Sequence, residues 1–168
     1  MKNIIISMLS LILAFSFSGC GKESHEAVAN PWTDWSSIAE AEDAAGFAFG
    51  VPEAVQDSYF ADSFRTMSGD TPIIEVSYTD DVTGQTVIIR KAPGEGQDLS
   101  GIYDHNYIRT QEWWHGEQIT YYRQDDSKSE MCSLKIVIFD DGYSWSVYAP
   151  KGFWGESSND FLVAIFEQ

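Results

Sequence analysis

Alternating apolar and polar residues, interrupted by short turns, are the pattern that most constrains the fold of this chain. Three predicted β-hairpins lie in Ile73–Arg90, Tyr107–Arg123 and Met131–Tyr148. In the third, Asp140-Asp141-Gly142 separates two alternating runs, and an Asp-Gly pair at such a place is a strong hairpin signal. Because consecutive strands pair locally, no crossover helices are needed, and the pattern predicts an antiparallel sheet.

Two short helices are predicted to flank the strands. Ser37 and Glu40 fit a capping box, in which Ser37 caps a backbone N–H group and Glu40 reaches back. Gly46 can adopt the left-handed conformation that commonly ends a helix, so a helix is predicted for Ser37–Ala45. A second helix is predicted for Asp160–Gln168. The predicted fold class is α+β: a single curved antiparallel sheet of about seven strands in meander order, with a short N-terminal and a short C-terminal helix.

The first residues have the layout of an export signal. Lys2 supplies a positive charge, Ile4–Phe17 is an apolar run, and the small residues Ser18 and Gly19 precede Cys20. A cysteine directly after small residues resembles a lipoprotein signal, whose cysteine is lipidated and becomes the mature N-terminus. The apolar run is shorter than the roughly 20 residues that a membrane-spanning helix needs.

These patterns divide the chain into three predicted segments. Residues 1–19 are a lipoprotein signal peptide, residues 20–33 a lipid-anchored tether, and residues 34–168 a single antiparallel-sheet domain. The tether is small and polar, and about ten extended residues reach at most about 35 Å. We therefore expect the domain to lie close to the extracytoplasmic face of the cell membrane, with the membrane as a partner through Cys20.

Composition narrows the other partners. The formal net charge is −16, which repels nucleic acid and bare anionic lipid headgroups, so neither is expected as a direct partner. Cationic partners, metal ions and a basic wall polymer stay open. A hydrophobic content of 43% allows a packed core, so global disorder is not expected. With Cys20 committed to lipid, Cys132 has no intramolecular disulfide partner and is expected to be a buried thiol.

Histidines and acidic residues give no catalytic or metal-binding pattern, so no metal and no cofactor is expected. The histidines lack a nearby Cys or His partner, which argues against zinc; they are His25, His105 and His115. Three acidic pairs lie at predicted turns, where Asp bonds the nearby backbone; they are Asp80-Asp81, Asp125-Asp126 and Asp140-Asp141. A calcium site at one end of the sheet and a paired-carboxylate glycosidase stay open as alternatives.

Aromatic residues in the second predicted hairpin are the best candidates for binding. Trp113-Trp114 and Tyr121-Tyr122 are adjacent pairs, and neighbours on a strand point to opposite faces. One member of each pair is therefore expected to face away from the core, where aromatic rings can stack on sugars or peptides. The predicted ligand contacts are Trp113, Trp114, Tyr121 and Tyr122; the alternative is a second covered face.

Several segments spread over the mature chain carry a family resemblance. They are Asn30-Pro31-Trp32, Ser37–Ala41, Ala44–Phe47, Pro52, Ile88–Ala92, Asp98–Gly101, Tyr103 and Tyr143–Val147. In these residues the chain resembles a family of uncharacterised extracytoplasmic domains of Gram-positive bacteria, which occur as lone lipoproteins and as outer parts of anti-sigma-factor-like membrane proteins. The resemblance implies the fold and the location, and it supplies no catalytic residues.

The sequence thus predicts a membrane-anchored extracytoplasmic lipoprotein that acts as a non-enzymatic binding or sensing module. A glycan, a peptide or an envelope protein is the expected ligand or partner. Two alternatives stay open: a hydrolase acting on cell-wall or sugar polymers, and a structural partner of another envelope protein.

Overall fold

The computed structural model describes residues 30–101, 107–114, 117–124, 134–140, 142–149, 153 and 156–166. For strands β6 and β7 and most of strand β8, whose ranges are given below, the structure describes the backbone and not the side chains. Predictions for the signal peptide, for most of the tether and for several chemically interesting side chains fall outside these residues. Those side chains are Cys20, His25, His105, His115, Asp125, Asp126, Cys132 and Asp141.

Nine strands and two helices lie in the described residues, and the strands form one open antiparallel sheet. The strands are β1 (Trp32–Trp35), β2 (Ala54–Val55), β3 (Tyr59–Met67), β4 (Ile73–Asp80), β5 (Thr86–Pro93), β6 (Tyr107–Trp114), β7 (Glu117–Gln124), β8 (Leu134–Asp140) and β9 (Tyr143–Ala149). The helices are α1 (Ile38–Ala45) and α2 (Glu156–Phe166). The predicted α+β class and the curved antiparallel sheet are therefore confirmed.

The strand order agrees with the predicted meander within each half of the sheet and differs from it where the two halves join. The order across the sheet is β1-β3-β4-β5-β9-β8-β7-β6, and β2 pairs beside β1 on the outer side of β3. Strands β3 to β5 form one meander and β6 to β9 a second, and the two join where β5 pairs with β9. The chain therefore crosses from β5 to the far edge between Pro93 and Tyr107, where the sequence has no local pairing signal.

Both helices contribute to a core on one face of the sheet. Phe161 of α2 lies edge-on to Tyr78 with ring centroids 5.8 Å apart, and Phe166 lies edge-on to Trp145 at 5.2 Å. The core residues include Ala41 of α1 and Val76, Ile89 and Val147 of the sheet, all of them buried. We call this the helix-bearing face. The alternate residues Glu75, Arg90 and Ser146 lie on the other side, the helix-free face.

Helix α1 has the predicted caps with one change of partner. The Ser37 hydroxyl accepts a hydrogen bond from the Glu40 N–H at 3.3 Å. The Glu40 carboxylate, however, accepts from Ser36, at 3.0 Å from its backbone N–H and at 2.6 Å from its hydroxyl. These bonds lower the pKa of Glu40. At the other end Gly46 has φ 80° and donates to the Glu42 carbonyl at 2.8 Å. The capping box therefore closes one residue earlier than predicted.

The two ends of the domain also differ slightly from prediction. Strand β1 begins at Trp32, so the last two residues of the predicted tether belong to the sheet. The sequence did not predict this strand, because four residues are too few to show an alternating pattern. Helix α2 begins at Glu156, before the predicted Asp160. Pro31–Gln168 forms one compact unit that contains the whole core, so we expect it to fold without the preceding residues.

Gly46→Ala is expected to lower the free energy of unfolding by about 1 kcal/mol, because a left-handed conformation costs an L-residue roughly that much. Crowding is not the cause, since a Cβ at Gly46 meets no heavy atom within 4 Å. Gly69→Ala is the matched control, because its Cβ is equally uncrowded and its φ is not positive. Urea unfolding of both variants tests the cap, and equal destabilisation by the two would contradict it.

Candidate functional site: an arginine cluster on the helix-free face

Glu75 is a charged residue in the interior of the sheet, with a side chain only 1% exposed. It lies in β4, and the register places Arg65 of β3 on one side of it and Arg90 of β5 on the other. Directly opposed residues of antiparallel strands share a face, so the three side chains meet on the helix-free face. A buried carboxylate is stable only when it is paired, and the two neighbouring strands supply the partners.

The Glu75 carboxylate is shared between the two arginines. Arg65 donates from Nε to Oε1 at 2.9 Å and also from Nη2 to the same oxygen. Arg90 donates from Nε to Oε2 at 2.7 Å. Two guanidiniums therefore share one buried carboxylate, and Asp34 of β1 lies opposite Arg65 on the same face.

Trp32 lies against both guanidiniums. Its ring centroid is 5.2 Å from Cζ of Arg65 and 5.1 Å from Cζ of Arg90, within the distance of a cation–π contact. The edge strand β1 brings this ring into place by pairing Trp32 with Met67, two residues beyond Arg65. We call Trp32, Arg65, Glu75 and Arg90 the arginine cluster.

The arginines reach the surface although Glu75 does not. The side chains of Arg65 and Arg90 are 30% and 18% exposed. Residues 94–101 fold back beside them: Arg90 Nη1 donates to the Leu99 carbonyl at 2.7 Å, and the Ser144 hydroxyl donates to the Gly94 carbonyl at 2.6 Å. Within the described part of the chain, the cluster is thus a partly exposed pair of guanidiniums with residues 94–101 and the Trp32 ring beside it.

The acidic pair Asp80-Asp81 serves the turn after β4, as its position in the sequence indicates. The Asp80 carboxylate accepts the N–H groups of Val82 at 2.8 Å and Thr83 at 3.0 Å, and these bonds lower its pKa. Among the residues that the structure describes, no group of three or more His, Cys, Asp or Glu side chains could hold a metal ion. No helix within the same ranges is long and apolar enough to cross a membrane.

The four predicted aromatic contacts lie on β6 and β7. The register pairs Trp113 with Gln118 and Trp114 with Glu117, while Tyr121 and Tyr122 pair with Thr110 and Arg109. Following the paired residues through β8 and β9 puts positions 113 and 122 on the helix-free face and positions 114 and 121 on the helix-bearing face. Their role as ligand contacts stays a prediction.

Sequence reasoning missed the arginine cluster, although part of it was accessible. The predicted hairpin around Asp80–Gly84 pairs Thr79 with Thr86, and four residues further from the turn Glu75 faces Arg90. Arg65 lies in β3, which joins β4 through the short connection 68–72, so its place opposite Glu75 belongs to a second hairpin that the sequence analysis did not predict. Trp32 lies in β1, which pairs with β3 from far away in the chain, and no short turn encodes that contact. Comparison with protein-family models, with curated proteins and with solved structures found no match.

Glu75→Gln is expected to lower the free energy of unfolding by about 2–4 kcal/mol, because it leaves two adjacent guanidiniums facing a neutral amide. Glu95→Gln makes the same change of charge on an exposed loop residue and is the matched control, with an expected effect within about 0.5 kcal/mol. Urea unfolding measures both. If the two variants had equal midpoints, the cluster would not stabilise the sheet.

Proposed function

We propose that this chain is an extracytoplasmic lipoprotein, held on the membrane through a lipidated Cys20, and that its sheet domain is a non-enzymatic binding module. The signal-like residues before Cys20 support the anchor. The single observation that carries the binding function is the arginine cluster, in which a buried carboxylate holds two guanidiniums at the surface. The resemblance to extracytoplasmic lipoprotein domains supports the same location.

The chemistry of the cluster favours a ligand that bears a carboxylate or a phosphate. A guanidinium offers a planar set of donors that matches such groups. The bonds described above use Nε and Nη2 of Arg65 and Nε and Nη1 of Arg90, and a guanidinium carries five N–H groups in all, more than these bonds use. Because Glu75 and Trp32 already hold both side chains, a ligand does not have to order them, which favours affinity.

An extended ligand fits this face better than a small ion. Position 122 lies on the helix-free face in β7, three strands across from Arg90 and two residues along, which corresponds to about 16 Å at the usual strand and residue spacings. An acid-bearing glycan or peptide could place its acidic group on the arginines and a sugar ring or side chain on Tyr122. The negative charge of the whole chain opposes indiscriminate attachment to anionic polymers, so binding should depend on the geometry of the cluster.

Replacing Cys20 tests the anchor. The lipoprotein proposal predicts an acylated Cys20 at the mature N-terminus, detected by mass spectrometry of the N-terminal peptide. Cys20→Ala should abolish acylation and leave the precursor unprocessed, because no other residue can take its place. Cys132→Ala is the matched control and should be processed and acylated as usual. A mature chain that begins elsewhere, or a Cys20 without lipid, would reject the anchor.

A screen with acid-bearing glycans and peptides tests the binding surface. Arg65→Lys and Arg90→Lys keep the charge but lose the planar donor set, and each is expected to weaken binding roughly tenfold. The control ligand is the same glycan or peptide with its acidic group amidated, which should bind weakly to every variant. Urea unfolding checks that the variants keep their fold.

Three outcomes of this screen would count against the proposal. Equal affinity for the acidic and the amidated ligand would remove the arginine cluster as the binding site. Cleavage of a glycan during the titration would favour the predicted alternative of a hydrolase. Retention of an envelope protein, with no affinity for any glycan or peptide, would favour the structural-partner alternative.

A further inference from the structure

Residues 94–101 leave β5 and turn back over the helix-free face. The Leu99 carbonyl accepts a hydrogen bond at 2.7 Å from Nη1 of Arg90, nine residues earlier in the chain. At the start of the segment, the Gly94 N–H donates to the Gly142 carbonyl at 2.7 Å. The Leu99 side chain is only 5% exposed, yet it does not belong to the core of the helix-bearing face. We call residues 94–101 the strap.

Ser144 of β9 fastens the strap to the sheet. It pairs with Ala92 of β5, two residues beyond Arg90, so its side chain lies on the helix-free face, and it is fully buried. Its hydroxyl donates to the Gly94 carbonyl at 2.6 Å and accepts the Gln97 N–H at 3.1 Å. Both bonds of this hydroxyl go to the strap, so removing it loosens the strap without touching either arginine.

The strap ends against the guanidinium of Arg90. Nε of Arg90 is bonded to Glu75, and Nη1 is bonded to the Leu99 carbonyl. The backbone at Gly101 comes so close that a Cβ there would lie 2.9 Å from Nη1. The strap therefore places a neutral oxygen on a donor that the acidic group of a ligand would use. A charged oxygen forms a hydrogen bond about twice as strong with a guanidinium, so it can compete with the carbonyl.

We propose that the strap is a self-inhibitory contact, which covers Arg90 in the ligand-free protein and is displaced when the acidic group of a ligand binds. This inference rests on the proposed binding function and adds its regulation. The apparent affinity then depends on the fraction of molecules with an open strap, because the apparent dissociation constant is the intrinsic one divided by that fraction. Displacement also exposes Leu99, so the bound protein presents an apolar residue that the free protein buries.

Ser144→Ala in the chain from Gly21 onward, which contains the compact unit Pro31–Gln168 with its own core, tests the strap. Chymotrypsin cleaves after leucine, so the cleavage rate after Leu99, located by mass spectrometry, reports the population with an open strap. Losing two hydrogen bonds is expected to raise this rate roughly tenfold or more. Ser77→Ala is the matched control: Ser77 lies on the same face in β4, and within the described residues its hydroxyl bonds no part of the strap.

A second pair of variants keeps the test decisive if Ser144→Ala folds poorly. Gly101→Ala and Gly96→Ala both add a Cβ at a positive φ, 67° and 81° respectively. The Cβ at Gly101 meets Arg90, whereas the one at Gly96 meets no heavy atom within 4 Å. Because Glu75 and Trp32 hold Arg90, cleavage after Leu99 is expected to be roughly fivefold faster in Gly101→Ala than in Gly96→Ala. Equal rates would overturn the contact between strap and arginine.

Inorganic phosphate is the probe for the ligand, compared with chloride at equal ionic strength, and its binding is followed by the NMR signals of the arginine Nε–H groups. A ligand that binds the native state protects it against unfolding. Displacement of the strap predicts the opposite at one bond: phosphate should accelerate cleavage after Leu99 while it raises the urea midpoint. Ser144→Ala should bind phosphate roughly three- to tenfold more tightly than Ser77→Ala.

The strap and the binding function fail in different ways. If phosphate shifts the arginine signals but leaves cleavage after Leu99 unchanged, and the two serine variants bind it equally, the strap is overturned and the cluster stays a binding site. If the arginine signals respond to phosphate in no variant, including the loosened Ser144→Ala, the binding function fails and the strap as its regulator fails with it.

Discussion

The pairing of one buried carboxylate with two arginines is the interaction on which the arrangement of this sheet depends. Strand β4 is buried on both sides, with Ile74, Val76 and Tyr78 in the core and Glu75 under the opposite face. An unpaired carboxylate at that position would be too costly to desolvate, so Arg65 and Arg90 must face it. That requirement fixes the register of β3 and β5 against β4, since a slip of one residue would move either arginine to the core face.

Arg90 and Lys91 are neighbours in β5, and the alternation of the strand places their positive charges on opposite faces of the sheet. Arg90 faces the surface and joins the arginine cluster, whereas Lys91 lies on the helix-bearing face. Lys91 Nζ donates to the carbonyls of Ala48 and Phe49 at 2.8 and 3.1 Å, and it lies 4.4 Å from the Tyr143 ring and 4.6 Å from the Trp145 ring. Lys91 thus ties the segment after α1 to the sheet, while Arg90 keeps part of its guanidinium at the surface.

Short sequence patterns predicted the strands, turns and helix caps, and they did not predict the pairing of residues far apart in the chain. The seven longer strands and the caps of α1 follow from alternation, turn residues and capping residues, all of which act within a few positions. The pairing of β5 with β9 and the placement of Trp32 over Arg65 depend on residues far apart in the chain, and no short pattern encodes them. Of the candidate site, the Glu75–Arg90 and Arg65–Glu75 pairs both lie in hairpins, but only the first of these hairpins was predicted, and the place of Trp32 follows from neither.

The junction between the two meanders has a consequence for how the domain forms. Pairs within each meander join strands that are adjacent in the chain, whereas Ile88 pairs with Tyr148, a separation of 60 residues (148 − 88). Closing so long a loop is entropically slower than closing a hairpin. Each half should therefore acquire its hairpins first, and pairing of β5 with β9 should limit the folding rate. Until then both β5 and β9 present an unpaired edge, so the folding chain is most prone to aggregation at the middle of its future sheet.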